Sequence, residues 1–126
     1  MSKSFEGLFG HEYEALLQSN DPETLIALSK VKNKKVRVAA VKMMCPCRVK
    51  KNEDLLWDEL EKLSKDEDKE VRYQVLHNFC DGSPDEMEHR VIKLLDGFNK
   101  DPDPEIRRRA HKVMGKYLHE GRWNVL

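Results

Sequence analysis

The thiols, imidazoles and guanidinium groups of this chain set the chemistry to be tested first. Cys45 and Cys47 flank Pro46, and His77 and Cys80 stand three residues apart. Three-residue spacing puts two side chains on one face of a helix. Together these residues form a Cys₃His set, a composition that suits structural zinc. But Cys45 and Cys80 sit on different helices, whose axes pack roughly 8–10 Å apart, whereas a zinc–sulfur bond is about 2.3 Å. No second Cys-x₂-Cys knuckle accompanies them. No metal is expected, and the thiols read as small, partly buried groups. There is no Gly-rich phosphate loop, no Gly-x-Ser-x-Gly and no recognisable pair of catalytic carboxylates. The expectation is a chain without catalytic residues or cofactor, not an enzyme. Arg107, Arg108 and Arg109, followed by Lys112 and Lys116, are a basic cluster that would suit phosphate. Tyr73 and Trp123 offer stacking surfaces beside it.

Composition bounds these readings. The 126 residues carry 23 Lys+Arg and 23 Asp+Glu, so the formal net charge is zero and a globally basic nucleic-acid binder is not indicated. Hydrophobic residues make up 39% and charged residues 37%, which is lean but still compatible with one folded domain over 1–126. No apolar run is long enough to span a bilayer. The segment from Met1 to Gly10 lacks the apolar core of a secretory leader. An odd cysteine count speaks against a disulfide framework. A cytoplasmic protein without membrane contact is expected.

The elements that position these groups come from an internal repeat. With an offset of 35, Val36-Arg37 falls on Val71-Arg72 and on Ile106-Arg107. Ala40 falls on Val75 and Ala110, Met44 on Phe79 and Met114, Leu25 on Leu60 and Leu95. The register needs no gap. The second half of each unit has apolar residues at i, i+4, i+7 or i+8, one face of a helix. The first half repeats the pattern in Leu56, Leu60 and Leu63, and again in Val91, Leu95 and Phe98. Asn33, Asp68 and Asp103 are N-cap residues. Ser83-Pro84-Asp85-Glu86 reads as a capping box with proline at the first helical position. Pro46, Gly82 and Gly121 are stops. Helices are expected near 11–19, 22–31, 34–45, 53–65, 69–80, 84–99 and 104–120, with no strand. The units run about 21–51, 52–83 and 84–120. A cap over 1–20 precedes them and a tail over 121–126 follows.

The run Asp66-Glu67-Asp68-Lys69-Glu70-Val71-Arg72 recurs as Asp101-Pro102-Asp103-Pro104-Glu105-Ile106-Arg107. An inter-helix turn carrying Asp, followed by a second helix opening on Val-Arg, resembles the HEAT repeat. The units are shorter than usual for that family and lack its helix-kinking proline, so they resemble the short bacterial-style variants. The resemblance implies an all-α fold: a right-handed α-solenoid of three helix pairs, with an extra N-terminal helix capping the open core through Phe5, Phe9, Tyr13 and Leu16. It also implies a structural ladder of Asp66, Arg72, Asp101 and Arg107. One HEAT-like enzyme family, deoxyhypusine hydroxylase, holds iron through His-Glu pairs. Here His11-Glu12 and His119-Glu120 lie out of register at the two ends, which leaves a metal-dependent enzyme as the remotest alternative.

In such a solenoid the second helices line the concave side. Rotation by 100° per residue puts four columns opposite the core: Val38, Tyr73 and Arg108; Lys42, His77 and Lys112; Cys45, Cys80 and Gly115; Val41, Leu76 and His111. Two readings follow. In one, position 41 and its equivalents pack between helices and the rest is ordinary surface. In the other, Val38, Val41, Lys42, Tyr73, Leu76, His77, Arg108, His111 and Lys112 form a concave binding patch with a basic end. That second reading makes the chain a protein-interaction or scaffold module whose partner is another protein. The alternative is nucleic-acid backbone binding through the basic third unit, as HEAT-like DNA glycosylases do in a basic groove. Charge is also unevenly placed. Residues 30–51 hold nine Lys/Arg and no acid, and 53–70 hold nine acids against three Lys. Opposite signs on neighbouring units would attract across the stack, or the basic stretch would meet phosphate.

Overall fold

The computed structural model describes residues 10–19, 21–45 and 54–126. Phe5 and Phe9 of the expected cap, Cys47, the side chain of His11 and the basic stretch 48–51 lie outside them. Among the described residues the chain is all-helical, with no strand. The helices are α1 (Gly10–Leu17), α2 (Pro22–Leu28), α3 (Lys34–Met43), α4 (Asp54–Leu63), α5 (Lys69–Phe79), α6 (Glu88–Phe98) and α7 (Pro104–Glu120).

The second helix of each unit starts as the local sequence dictates. Asn33, Asp68 and Asp103 hold extended backbone and accept from a first-turn N–H: Lys35 at 3.0 Å, Glu70 at 2.8 Å and Ile106 at 3.1 Å. Each satisfies a donor that the helix leaves open. Burial alone would raise the Asp68 carboxyl, but the Glu70 N–H and the Lys34 ammonium outweigh it and hold the group below its ordinary value. Asp21 caps α2 by accepting from the Thr24 N–H and hydroxyl, with Pro22 next. Gly121 closes α7 in the left-handed region at φ 70° and donates to the Tyr117 carbonyl.

The capping box at Ser83 does not form. The Ser83 hydroxyl donates to the Phe79 carbonyl at 2.6 Å, and its backbone N–H is taken by Asn124 Oδ1 at 3.0 Å. With its side chain committed backwards, Ser83 caps nothing ahead. Asp85–Met87 is a 3₁₀ turn, and α6 begins at Glu88.

Helices pack in chain-adjacent pairs, α2 with α3, α4 with α5 and α6 with α7, while α3 lies beside α5 and α5 beside α7. One apolar cluster gathers Tyr13, Leu28, Val31, Val36 and Ala40, with Leu16 and Leu17 against it. Through Tyr13 and Leu16, α1 packs on α2 and α3. The larger cluster runs from Leu25 through Leu60, Phe79 and Leu95 to Val113. Phe79 meets Trp57 edge-on, with ring centroids 4.9 Å apart. The segment after Gly121 folds back on the body. Trp123 is buried, Leu126 N donates to the Cys80 carbonyl, and Asn124 brackets Gly82 and Ser83.

Arginines tie the units together. Arg37 Nη2 donates to Asp66 Oδ1 at 3.3 Å, and its Nε lies 3.2 Å from Asp66 Oδ2 as an ion pair outside hydrogen-bond alignment. Arg72 Nε and Nη2 donate to the two oxygens of Asp101 at 3.0 and 3.2 Å. Each bridge spans 29 residues, from one unit to the next.

Candidate functional site

A groove of about 460 Å³ runs over the N-terminal halves of α5 and α7 and the middle to C-terminal part of α3. Helix α5 forms its floor through Lys69, Glu70, Tyr73 and Gln74. Val38 and Lys42 of α3 make one wall; Glu105, Ile106 and Arg109 of α7, with Asp103, make the other. Tyr73 is half-buried against the main core cluster. The Arg109 guanidinium stands 5.3 Å from the centre of its ring, a cation–π contact. Glu105 fixes that arginine from below, with Arg109 Nε donating to Glu105 Oε1 at 3.1 Å.

The groove brings Val38, Lys42 and Tyr73 together, but several expected patch residues lie elsewhere. Val41 and Leu76 are fully buried. They belong to the core that the units share, so they cannot form part of a free face. Cys45 and Cys80 are buried too, and burial pushes the Cys80 thiol up to about 12. His77 is half-buried outside the groove walls, and its Nδ1 is shielded without a hydrogen-bond partner among the described residues. Arg108, His111 and Lys112 are exposed but stand apart from the groove.

One geometric cause explains all of these corrections. A second helix in a row of helices has two buried sides, one toward its own first helix and one toward its neighbour. Position 41 and its equivalent 76 point along the row, toward the following helix. Val41 joins the cluster that holds Val75, Leu76 and Phe79 of α5, and Asn78 of α5 donates to the Val41 carbonyl at 2.6 Å. Arg108, His111 and Lys112 occupy the same direction on α7, where no further described helix follows. They are therefore the polar end of the row rather than the basic end of the concave face. The wall residue opposite Tyr73 is accordingly Arg109, one position on. The wheel drawn from a single helix missed it; the signal was the offset register, in which Arg109 matches Gln74 and not Tyr73.

Of the expected ladder, Asp66, Arg72 and Asp101 are engaged as described above. Arg107 bonds only carbonyls, those of Asp101 at 2.6 Å and Pro102 at 3.0 Å. The other basic groups of α7 are largely paired. Arg108 meets Glu105, and Lys116 lies 3.0 Å from Glu120. The Lys116 bond holds the Glu120 carboxyl below its ordinary value. Among the described residues no three His, Cys, Asp or Glu side chains gather as a metal site. No described helix is long and apolar enough to cross a membrane. No family model, curated protein or solved structure matches the chain.

Proposed function

We propose that this chain is a short HEAT-like α-solenoid acting as a protein-interaction module, with a segment of another protein seated in the groove over α5. The Tyr73–Arg109 pair is the single observation that carries the reading. Tyr and Arg combine large contact area with directed polar groups and are common anchors of interfaces. Here they are stacked on one another beside the half-buried Val38. The repeated caps and the two 29-residue Arg–Asp bridges support the solenoid arrangement.

The charge of the groove favours protein over nucleic acid. Its lining has Lys42, Lys69 and Arg109 against Glu70, Asp103 and Glu105, an even balance of three to three. A nucleic acid needs phosphate-neutralising charge along its whole track, and its binding falls steeply with salt. Glu105 and Glu120 also neutralise much of the basic cluster on α7.

The test is capture of partners by the purified chain, compared between wild type and Tyr73→Ala. A protein retained by wild type at moderate salt and lost with the folded variant supports the reading. Retention of nucleic acid alone, eluted by moderate salt and indifferent to Tyr73→Ala, would replace it with the nucleic-acid reading.

A further inference from the structure

We propose that the exposed end of α7 around Arg107 is a receptor for carboxylates on an acidic peptide segment of a partner protein, a site separate from the groove. The template lies within the molecule. Arg37 and Arg72 each use their guanidinium twice. Nη1 donates to two carbonyls of the arginine's own inter-helix turn, Val31 and Lys32 for Arg37, Asp66 and Glu67 for Arg72. The other edge, Nε and Nη2, then faces both oxygens of an aspartate in the next unit. Arg107 reproduces the first half of this arrangement on the Asp101 and Pro102 carbonyls. Its Nε–Nη2 edge meets no carboxylate among the described residues. The guanidinium is thus fixed in the pose that grips an aspartate twice elsewhere in the chain, and a receptor ordered in advance loses less entropy on binding. Two parallel N–H groups match the two oxygens of a carboxylate.

The surroundings select the occupant. Facing the following unit, the first unit presents Val38 and Val41 and the second presents Tyr73 and Leu76. The third presents Arg108 and His111, both exposed. A further helix pair of the same kind would find little apolar surface there beyond the exposed Leu118. Lys112 is exposed one turn along from Arg108 and has no ion-pair partner among the described residues. Arg108 already holds Glu105. The end face therefore offers one directed fork and one free ammonium, which suits two carboxylates of a flexible acidic segment. A phosphate backbone would also accept from the fork. But Glu105 and Glu120 interrupt the charge a phosphate track requires, and carboxylate is the group the matching forks hold.

The experiment titrates a fluorescein-labelled Asp-rich peptide into the intact chain at low ionic strength, with a single-stranded oligonucleotide of equal charge as competitor. Anisotropy and the arginine Nε–H resonances are followed together. The peptide should move the Arg107 Nε–H signal and leave those of Arg37 and Arg72 in place. Arg107→Lys keeps the charge and loses the fork, and should weaken peptide binding about tenfold. Lys65→Ala, an exposed cation elsewhere, should leave it unchanged. Equal affinity for Arg107→Lys, an unmoved Arg107 resonance, or tighter binding of the oligonucleotide than of the peptide would each overturn the proposal. Should Arg107→Lys fail to fold, as circular dichroism would show, the resonance of the wild-type chain decides alone.

Discussion

The α3–α5 junction and the α5–α7 junction carry the same arginine bridge and end up with different surfaces. At the first, Asn78 sends its amide to the Val41 carbonyl, and Gln74 in turn donates to Asn78. The seam is closed, and α3 packs more closely on α5 than α5 does on α7. At the second, the residue equivalent to Asn78 is Val113, which has nothing to donate. Tyr73 and Arg109 stand where the first junction has Val38 and Gln74, and the helices meet over a shorter stretch. The same arginine bridge thus joins both pairs of helices, while two or three side chains per junction decide how tightly the seam under the shared groove is closed.

The largest effects should fall on what both junctions share. Leu60 is buried at 1% exposure in the common core, and Leu60→Ala should lose about 2–5 kcal/mol of stability in urea unfolding. The Asp101 side chain is 4% exposed against Arg72 at 11%. Asp101→Ala strands that guanidinium and should lose about 3–5 kcal/mol. Asp66→Ala should lose less, because Arg37 keeps Glu67 Oε1 4.0 Å from its Nη2 as a second carboxylate. Equal losses at the two bridges would show that Glu67 does not compensate Arg37.

The seal itself comes next. Asn78→Ala takes one of two donors from the Val41 carbonyl, which keeps the Met44 N–H at 3.0 Å, and should lose about 0.5–1.5 kcal/mol. The change should appear first as faster hydrogen exchange at the α3–α5 seam, with α5–α7 unaffected. Uniform loss of protection across both junctions would show that the amide stitch is not local to one of them.

These contrasts mark what was legible in the sequence. The caps at Asn33, Asp68 and Asp103 were, because a cap needs only its own side chain and the N–H groups two or three residues on. Of the ladder that the resemblance implies, Arg72 pairs with Asp101, while Asp66 pairs with Arg37 and Arg107 meets carbonyls among the described residues. Ser83 was misread because its hydroxyl has a nearer acceptor in Phe79 and its N–H is claimed by Asn124, 41 residues away. Val41 and Leu76 were misplaced on a free face because a helical wheel shows distance from one core and is blind to a second neighbour. Arg109 was missed for the same reason. The groove depends on how α5 and α7 lie against each other, and no single-helix pattern encodes that.

Cys80 offers a smaller effect, one that tests the closed end of α5. Burial raises its thiol from an ordinary value of 9.0 to about 12. Between those values the unfolded chain releases a proton that the folded chain keeps. This contribution therefore leaves stability unchanged below pH 9.0 and lowers it as pH rises toward 12. At pH 8 the thiol should be protonated and shielded, and should resist alkylation until the protein unfolds. Rapid labelling of Cys80 under native conditions would mean that the tail, whose Leu126 N–H is bonded to the Cys80 carbonyl, does not cover it.

The smallest effect is the one that separates the two junctions most directly. If Tyr73 and Arg109 interact as an exposed cation–π pair, their coupling in a double-mutant cycle should be about 0.5–1 kcal/mol. The equivalent pair at the sealed junction, Val38 and Gln74, has no charge to place over a ring and should show coupling near zero. Arg109→Ala alone should leave stability almost unchanged, since Glu105 keeps Arg108 as a partner. Arg109→Lys retains the charge but loses the flat guanidinium that lies over the ring, so it should recover only part of the coupling. The measurement also bears on the groove as a docking surface. A Tyr73–Arg109 coupling that persists at high salt belongs to a pair held in place before any partner arrives. A coupling that vanishes with salt belongs to two side chains that meet only in passing, and the anchor assigned to the groove would go with it.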